Sequence, residues 1–147
     1  MKEIQIKVLK LHQDVELPKY MTEGSAGMDV FAFLEKDIVL RPMERVLVPT
    51  GIKIEIPRGY EVQVRPRSGL AIKHGITLLN TPGTIDSDFR GEVKIIMVNL
   101  SNEDFIIKNN ERIAQFVLAK VEKCLWEESQ ELETSKRDQG GFGHTGK

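Results

Sequence analysis

The chain has almost no cysteine: Cys124 stands alone among 147 residues. No intrachain disulfide framework can form, which suits a reducing compartment. Net charge is also nearly absent, with 21 basic side chains against 22 acidic ones and a formal charge of -1. Bulk electrostatics therefore gives no reason to expect a nucleic-acid partner, and any phosphate binding has to come from local arrangement. Long apolar runs are missing as well; none approaches the roughly 20 residues that span a bilayer. The N-terminus alternates from the outset, Met1-Lys2-Glu3-Ile4-Gln5-Ile6, without the apolar core of a signal peptide. A soluble, cytoplasmic protein with no membrane contact is the expectation. Metal cages are lacking too, since no His-x-x-x-His or Cys-x-x-Cys pair occurs. The only histidines are His12, His74 and His144. His74 falls near the end of a short helix, where a cap or surface role suits it, so no base is at hand to activate a serine nucleophile.

What is present is one domain's worth of ordinary globular sequence, 40% apolar and 29% charged. Its dominant period is two. Ile4, Ile6 and Val8 alternate with polar residues, as do Ile52, Ile54 and Ile56, and Val62 with Val64; each pattern predicts a strand with one buried face. Val93 to Leu100 is nearly continuous in apolar residues and predicts a strand buried on both faces, and Ile113 to Val121 a further strand. Turn signals separate them at Pro18, Pro42, Pro57-Arg58-Gly59, Pro82-Gly83 and Asn109-Asn110. The fold class is all-β, a sandwich or barrel. One short helix fits, with Ser68 as N-cap, Leu70, Ala71 and Ile72 in its body and Gly75 at its end. Residues 1–126 form the β domain. From residue 127 the chain turns polar and aperiodic and ends in a glycine-rich stretch carrying Phe142, either a disordered terminus or an arm that something binds.

Two segments carry candidate chemistry. Arg65-Pro66-Arg67-Ser68-Gly69 sets an arginine, a hydroxyl and a glycine at a helix start, where free N–H groups and the helix dipole favour an anion. Equally, Ser68 can serve only as a cap and Arg67 can pair with a carboxylate. Asn80 to Glu92 predicts a hairpin or tight loop into the buried strand, with Asp86 and Asp88 flanking Ser87. One carboxylate there can orient and deprotonate a water; both can also be solvated turn residues.

Five ordered segments decide more than either alone: Ala26 to Ala32, Pro66 to Ala71, Gly83 to Gly91, Glu111 to Phe116, and Arg137 followed by Gly140 to Gly146. Together they resemble the five motifs of the homotrimeric dUTPase family, over essentially the whole chain. The resemblance implies a jelly-roll-like β-barrel, a threefold trimer, and Mg²⁺-dependent hydrolysis of dUTP to dUMP and pyrophosphate, with each site shared between subunits. Residue by residue, Asp86 matches the general base that activates water against the α-phosphorus. Asn80 and the backbone of the hairpin, including Gly83, Thr84, Ile85 and Lys94, match the reader of the uracil edge, and Phe89 the ring beneath the deoxyribose. Arg67, Ser68, Gly69 and Gln115 match phosphate contacts. Arg137, Phe142, Gly143, His144 and Thr145 match a C-terminal arm, residues 127–147, that closes over the base and γ-phosphate. Asp29 matches a carboxylate that touches magnesium through water; its competing reading is a turn residue after Gly27. Phe89 stands where tyrosine is usual, His144 where serine is, and Asp138 where glycine is. The alternatives are a dCTP deaminase-like enzyme, a non-catalytic deoxynucleotide sensor on the same scaffold, and a ligand-free β-sandwich interaction domain.

Overall fold

In a computed structural model that describes residues 3–146, the chain forms β-strands with a single short helix, as the period-two patterning requires. One sheet holds β2 (Met28–Phe31), β11 (Arg112–Lys120), β6 (Tyr60–Arg65) and β8 (Gly83–Ile85) in that order. The second holds β4 (Arg45–Pro49), β9 (Lys94–Asn99) and β7 (Ile76–Leu78). Two antiparallel pairs complete the body: β1 (Lys7–Lys10) with β5 (Ile52–Glu55), and β3 (Ile38–Leu40) with β10 (Phe105–Ile107). All strand pairings are antiparallel, and neighbours in a sheet are mostly distant in sequence. The architecture is a jelly-roll sandwich.

Its core is filled from both sheets by residues that alternate along each strand. Val30, Val62, Ile113 and Phe116 meet Val48, Ile95 and Met97, with Ile52 from the flanking pair. Burying each such side chain contributes about 1.5–3 kcal/mol. The buried polar Asn99 is fully engaged: its amide donates to the Leu40 and Glu103 carbonyls, and its oxygen accepts from Ser101. That network ties the end of β9 to the loop before β10.

Four expectations need correction. The Ile4–Val8 alternation does not give a strand with a buried face: β1 starts at Lys7 and is exposed throughout, with Ile4 and Ile6 half-buried ahead of it. β1 pairs only with β5, whose Ile52 and Ile54 are buried, so the exposure belongs to β1 itself and not to the pair. The strand from Val93 starts at Lys94, which is exposed, as is Leu100; full burial is confined to Val93, Ile95 and Met97–Asn99. Gly83 to Lys94 is no hairpin, because β8 pairs with β6 while β9 pairs with β4 and β7; the segment crosses from one sheet to the other. Finally, helix α1 (Ser68–His74) is capped one residue earlier than expected. Arg67 holds the N-cap position in extended geometry, without a side-chain cap bond, and Ser68 is already helical. Gly75 ends the helix as expected, in the left-handed region at φ 63°.

β11 ends at Lys120, and residues 121–146 carry no strand or helix. No helix among the described residues is long and apolar enough to cross a membrane.

Candidate active site

The register of the four-stranded sheet brings three polar residues side by side. Gln115 on the central β11 faces Asp29 of β2 on one side and Arg65 of β6 on the other. Two residues beyond Arg65, the chain reaches Arg67 and the start of α1, so sheet and helix terminus close on one cleft of about 170 Å³. Gly27, Asp29, Arg67, Ser68, Gly69, Arg112 and Gln115 are among its walls.

Asp29 sits at the bottom, buried, and lies within a strand; the turn-residue reading is therefore wrong. Its Oδ2 accepts from Arg112 Nη1 at 3.0 Å and its Oδ1 from Gln115 Nε2 at 3.1 Å, while Arg67 Nε stands 3.9 Å away. Arg67 in turn donates from Nη1 to the Arg112 carbonyl at 2.9 Å. A carboxylate so placed fixes the guanidinium and amide donors around it, and the first-turn N–H groups of α1 remain open to an anion. The cleft thus gathers guanidinium, amide and backbone donors that together can receive anionic oxygens.

Asp86 is elsewhere. It follows Ile85, which pairs with Val62, so it lies level with the Glu61 end of β6. From Glu61 to Arg65 is four strand steps, about 13 Å at 3.3 Å per residue, and Arg67 lies further on. The Asp86 carboxylate is exposed and makes no ion pair or side-chain hydrogen bond among the described residues. With Asp88, Arg90, Arg58, Tyr60 and Lys123 it lines a separate open groove of about 940 Å³. Near β8, the Asn80 amide packs against Gly83; a Cβ there would stand 3.2 Å from both Asn80 Nδ2 and Val64 Cβ. Thr84 pairs with Gln63, and Lys94 stands opposite Pro49 with its ammonium 3.7 Å from Glu92.

The arm residues join neither cleft. Arg137 Nε donates to the Gly140 carbonyl at 2.7 Å, and His144 N–H to the Gly141 carbonyl at 3.1 Å, so the segment hydrogen-bonds to itself. Arg137, Phe142, Gly143, His144 and Thr145 are all exposed. Asp138 adopts φ 44°, a left-handed conformation that glycine takes without penalty.

Against this geometry, a family model for dUTPase matches residues 13–146. The chain belongs to the dUTPase family. It is 63% identical over 147 residues to the deoxyuridine 5'-triphosphate nucleotidohydrolase of Fusobacterium nucleatum subsp. nucleatum, covering 100% of both chains. To the protein of that name from Finegoldia magna it is 60% identical over 130 residues, 88% of this chain and 91% of the other. Among solved structures, the Staphylococcus bacteriophage 80alpha dUTPase with dUPNHPP superposes with a TM-score of 0.82 at 25% identity, covering 97% of this chain and 98% of that one.

One residue of this dUTPase-family cleft escaped the sequence reading. Arg112 and Gln115 are three apart, and strict alternation sends them to opposite faces. A bulge resolves this: Arg112 pairs with Phe31 but Ala114 with Val30, so Ile113 is an extra residue and both polar side chains reach Asp29. The only signal was Ile113-Ala114, two adjacent residues that both suit a core. Removing one partner of a buried pair is destabilising. Because Arg112 is 41% exposed and Gln115 remains, Arg112→Ala is expected to cost up to roughly 3 kcal/mol in urea unfolding. Arg112→Lys should recover part of it. Parent-like stability of the alanine variant would show that Asp29 does not depend on this arginine.

Proposed function

We propose that the chain is a magnesium-dependent dUTP diphosphatase that works as a homotrimer, each site drawing on three copies. One observation carries the reading. The phosphate-type cleft at Asp29, Arg67 and Gln115 and the carboxylate of Asp86, unpaired among the described residues, are too far apart on one chain to act at one phosphorus. A general base acts within hydrogen-bond reach of the attacking water. Asp86 of one copy facing the cleft of another supplies that distance, as a C₃ ring does naturally.

In this reading, Asp86 accepts a proton from water as its oxygen attacks the α-phosphorus. The bond from that phosphorus to the bridging oxygen breaks, leaving dUMP and pyrophosphate. Arg67, Ser68, Gly69 and Gln115 hold the phosphates in line and offset charge on the departing pyrophosphate. Asn80 and the backbone at Gly83, Thr84, Ile85 and Lys94 pair with the uracil edge, which rejects cytosine by leaving donors facing donors. Phe89 packs under the deoxyribose. From a third copy, Phe142 covers the base, and Arg137, Gly143, His144 and Thr145 meet the γ end. The exposed Cys124 and the absence of any disulfide agree with a cytoplasmic setting.

The donor set also suits magnesium. No cluster of three or more His, Cys, Asp or Glu among the described residues forms a cage. Asp29 has each oxygen engaged once, leaving acceptor capacity for the waters that Mg²⁺ keeps. Bound on the triphosphate, the ion would supply charge neutralisation, with Asp29 holding its waters.

Phosphorus NMR, with chromatography of the nucleotides alongside, tests the whole reading. Protein incubated with dUTP, dCTP and UTP in turn should give pyrophosphate and dUMP from dUTP alone, lost on chelation. Uracil nucleotides from dCTP would make it a deaminase, and dUTP binding without product a sensor.

A further inference from the structure

Phe89 rests on something the roles above do not use. A Cβ built on Gly91 would lie 2.6 Å from Cζ of Phe89 and 3.0 Å from its Cε2. The ring tip thus lies over the bare α-carbon of the residue two positions on. Gly91 is not among the glycines with positive φ, so its backbone can take an L side chain. The space it leaves is occupied by the ring.

The turn that carries the ring is pinned as well. Arg90 Nη1 donates to the Ser87 carbonyl at 2.8 Å and to the Phe89 carbonyl at 3.0 Å. The Phe89 N–H donates to the Asp86 carbonyl at 3.2 Å. From Asp86 to Arg90 the chain is one closed turn, held by its own arginine, that fixes where the ring starts. Phe89 remains 44% exposed, so a large part of the ring is left to meet a ligand.

We propose that Gly91 is a specificity-positioning residue: its missing side chain is the seat that fixes the Phe89 ring against a 2′-hydroxyl, with Arg90 clamping the turn beneath. The inference rests on the reading of Phe89 as the sugar gate. Carbon atoms pack at about 3.5–4.0 Å, so a methyl at position 91 has to move the ring tip by roughly 1 Å. The displaced atoms are the free end of a side chain, so the body of the fold has no reason to shift. A misplacement of about 1 Å at a reacting site can cost about 10²-fold, which makes selection the sensitive readout.

The experiment measures kcat/KM for dUTP and for UTP in the parent, Gly91→Ala, Phe89→Ala and the double variant, with thermal unfolding alongside. Gly91→Ala is expected to lower the dUTP-to-UTP ratio about tenfold or more while its unfolding midpoint stays at the parent value. The double variant should match Phe89→Ala, because without the ring the methyl displaces nothing. Arg90→Gln, which loosens the clamp without adding volume, should lower the same ratio severalfold. If Phe89→Ala lowers the ratio and Gly91→Ala does not, the seat is wrong and the gate survives. A double variant that loses further selectivity beyond Phe89→Ala also overturns the seat. If Phe89→Ala leaves the ratio unchanged, the gate itself is wrong.

Discussion

Asp86→Asn is expected to bind dUTP about as well as the parent and to hydrolyse it at least about 10²-fold more slowly. Asparagine matches the carboxylate in shape but cannot take the proton that water must lose. The carboxylate is exposed and has no ion pair or side-chain hydrogen bond among the described residues. Its loss therefore removes no stabilising contact within the chain, and unfolding should be unchanged. Rapid-quench single turnovers give the chemical step, and calorimetric titration gives binding. Near-parent turnover would take Asp86 out of the mechanism. Mixed trimers sharpen the test. Arg67→Ala lacks the opposite half of the site, so each variant alone should be nearly inactive. Refolded together in equal amounts, they should recover activity in about a quarter of the sites, because some pair an intact Asp86 with an intact Arg67 from another copy. Absence of any recovery would mean that the two halves are not shared between subunits.

How much of this was legible in sequence depends on what each residue type reports. Ile52 and Ile54 along β5, and Val62 and Val64 along β6, are buried as their alternation requires, because those faces pack on the chain's own core. Ile4, Ile6 and Val8 show the same period, yet Val8 is exposed. Alternation reports which face is apolar and is silent about what covers it. Pro82-Gly83 marked the break between β7 and β8 correctly, but turn chemistry is local and cannot say which strand the next one joins. That choice is made by the sandwich, which sends β8 to β6 and β9 to β4 and β7.

The site shows the same division. Arg67, Ser68, Gly69 and Gln115 line one cleft with Asp29, because Gln115 and Asp29 are register partners and α1 starts shortly after β6 ends. Arg112 was hidden because a bulge breaks the periodicity from which facing is inferred. The seat of the Phe89 ring was hidden for a different reason: Gly91 acts by lacking atoms, and a glycine in a turn has many ordinary explanations.

Truncation after Lys136 is expected to leave the sandwich intact and to lower dUTP hydrolysis by about 10²-fold or more. The structural half follows from contacts. The hydrogen bonds of residues 137–146 run within the segment or to neighbouring Ser135, and Phe142 is fully exposed. Circular dichroism, sedimentation and urea unfolding should therefore match the parent. The functional half follows from what the arm brings to a bound substrate. Stacking of an aromatic on a base is worth about 1–3 kcal/mol. A charge-assisted bond from Arg137 to phosphate adds about 1.5–3 kcal/mol. Phe142→Ala alone removes only the stacking and should cost roughly 5–150-fold, with a loss in kcat if closure completes in the transition state. A loss confined to KM would mean that the arm holds substrate and transition state equally. Full activity in the truncated protein would leave the phosphates to Arg67, Ser68, Gly69 and Gln115 alone, and the glycine-rich segment without a part in the reaction.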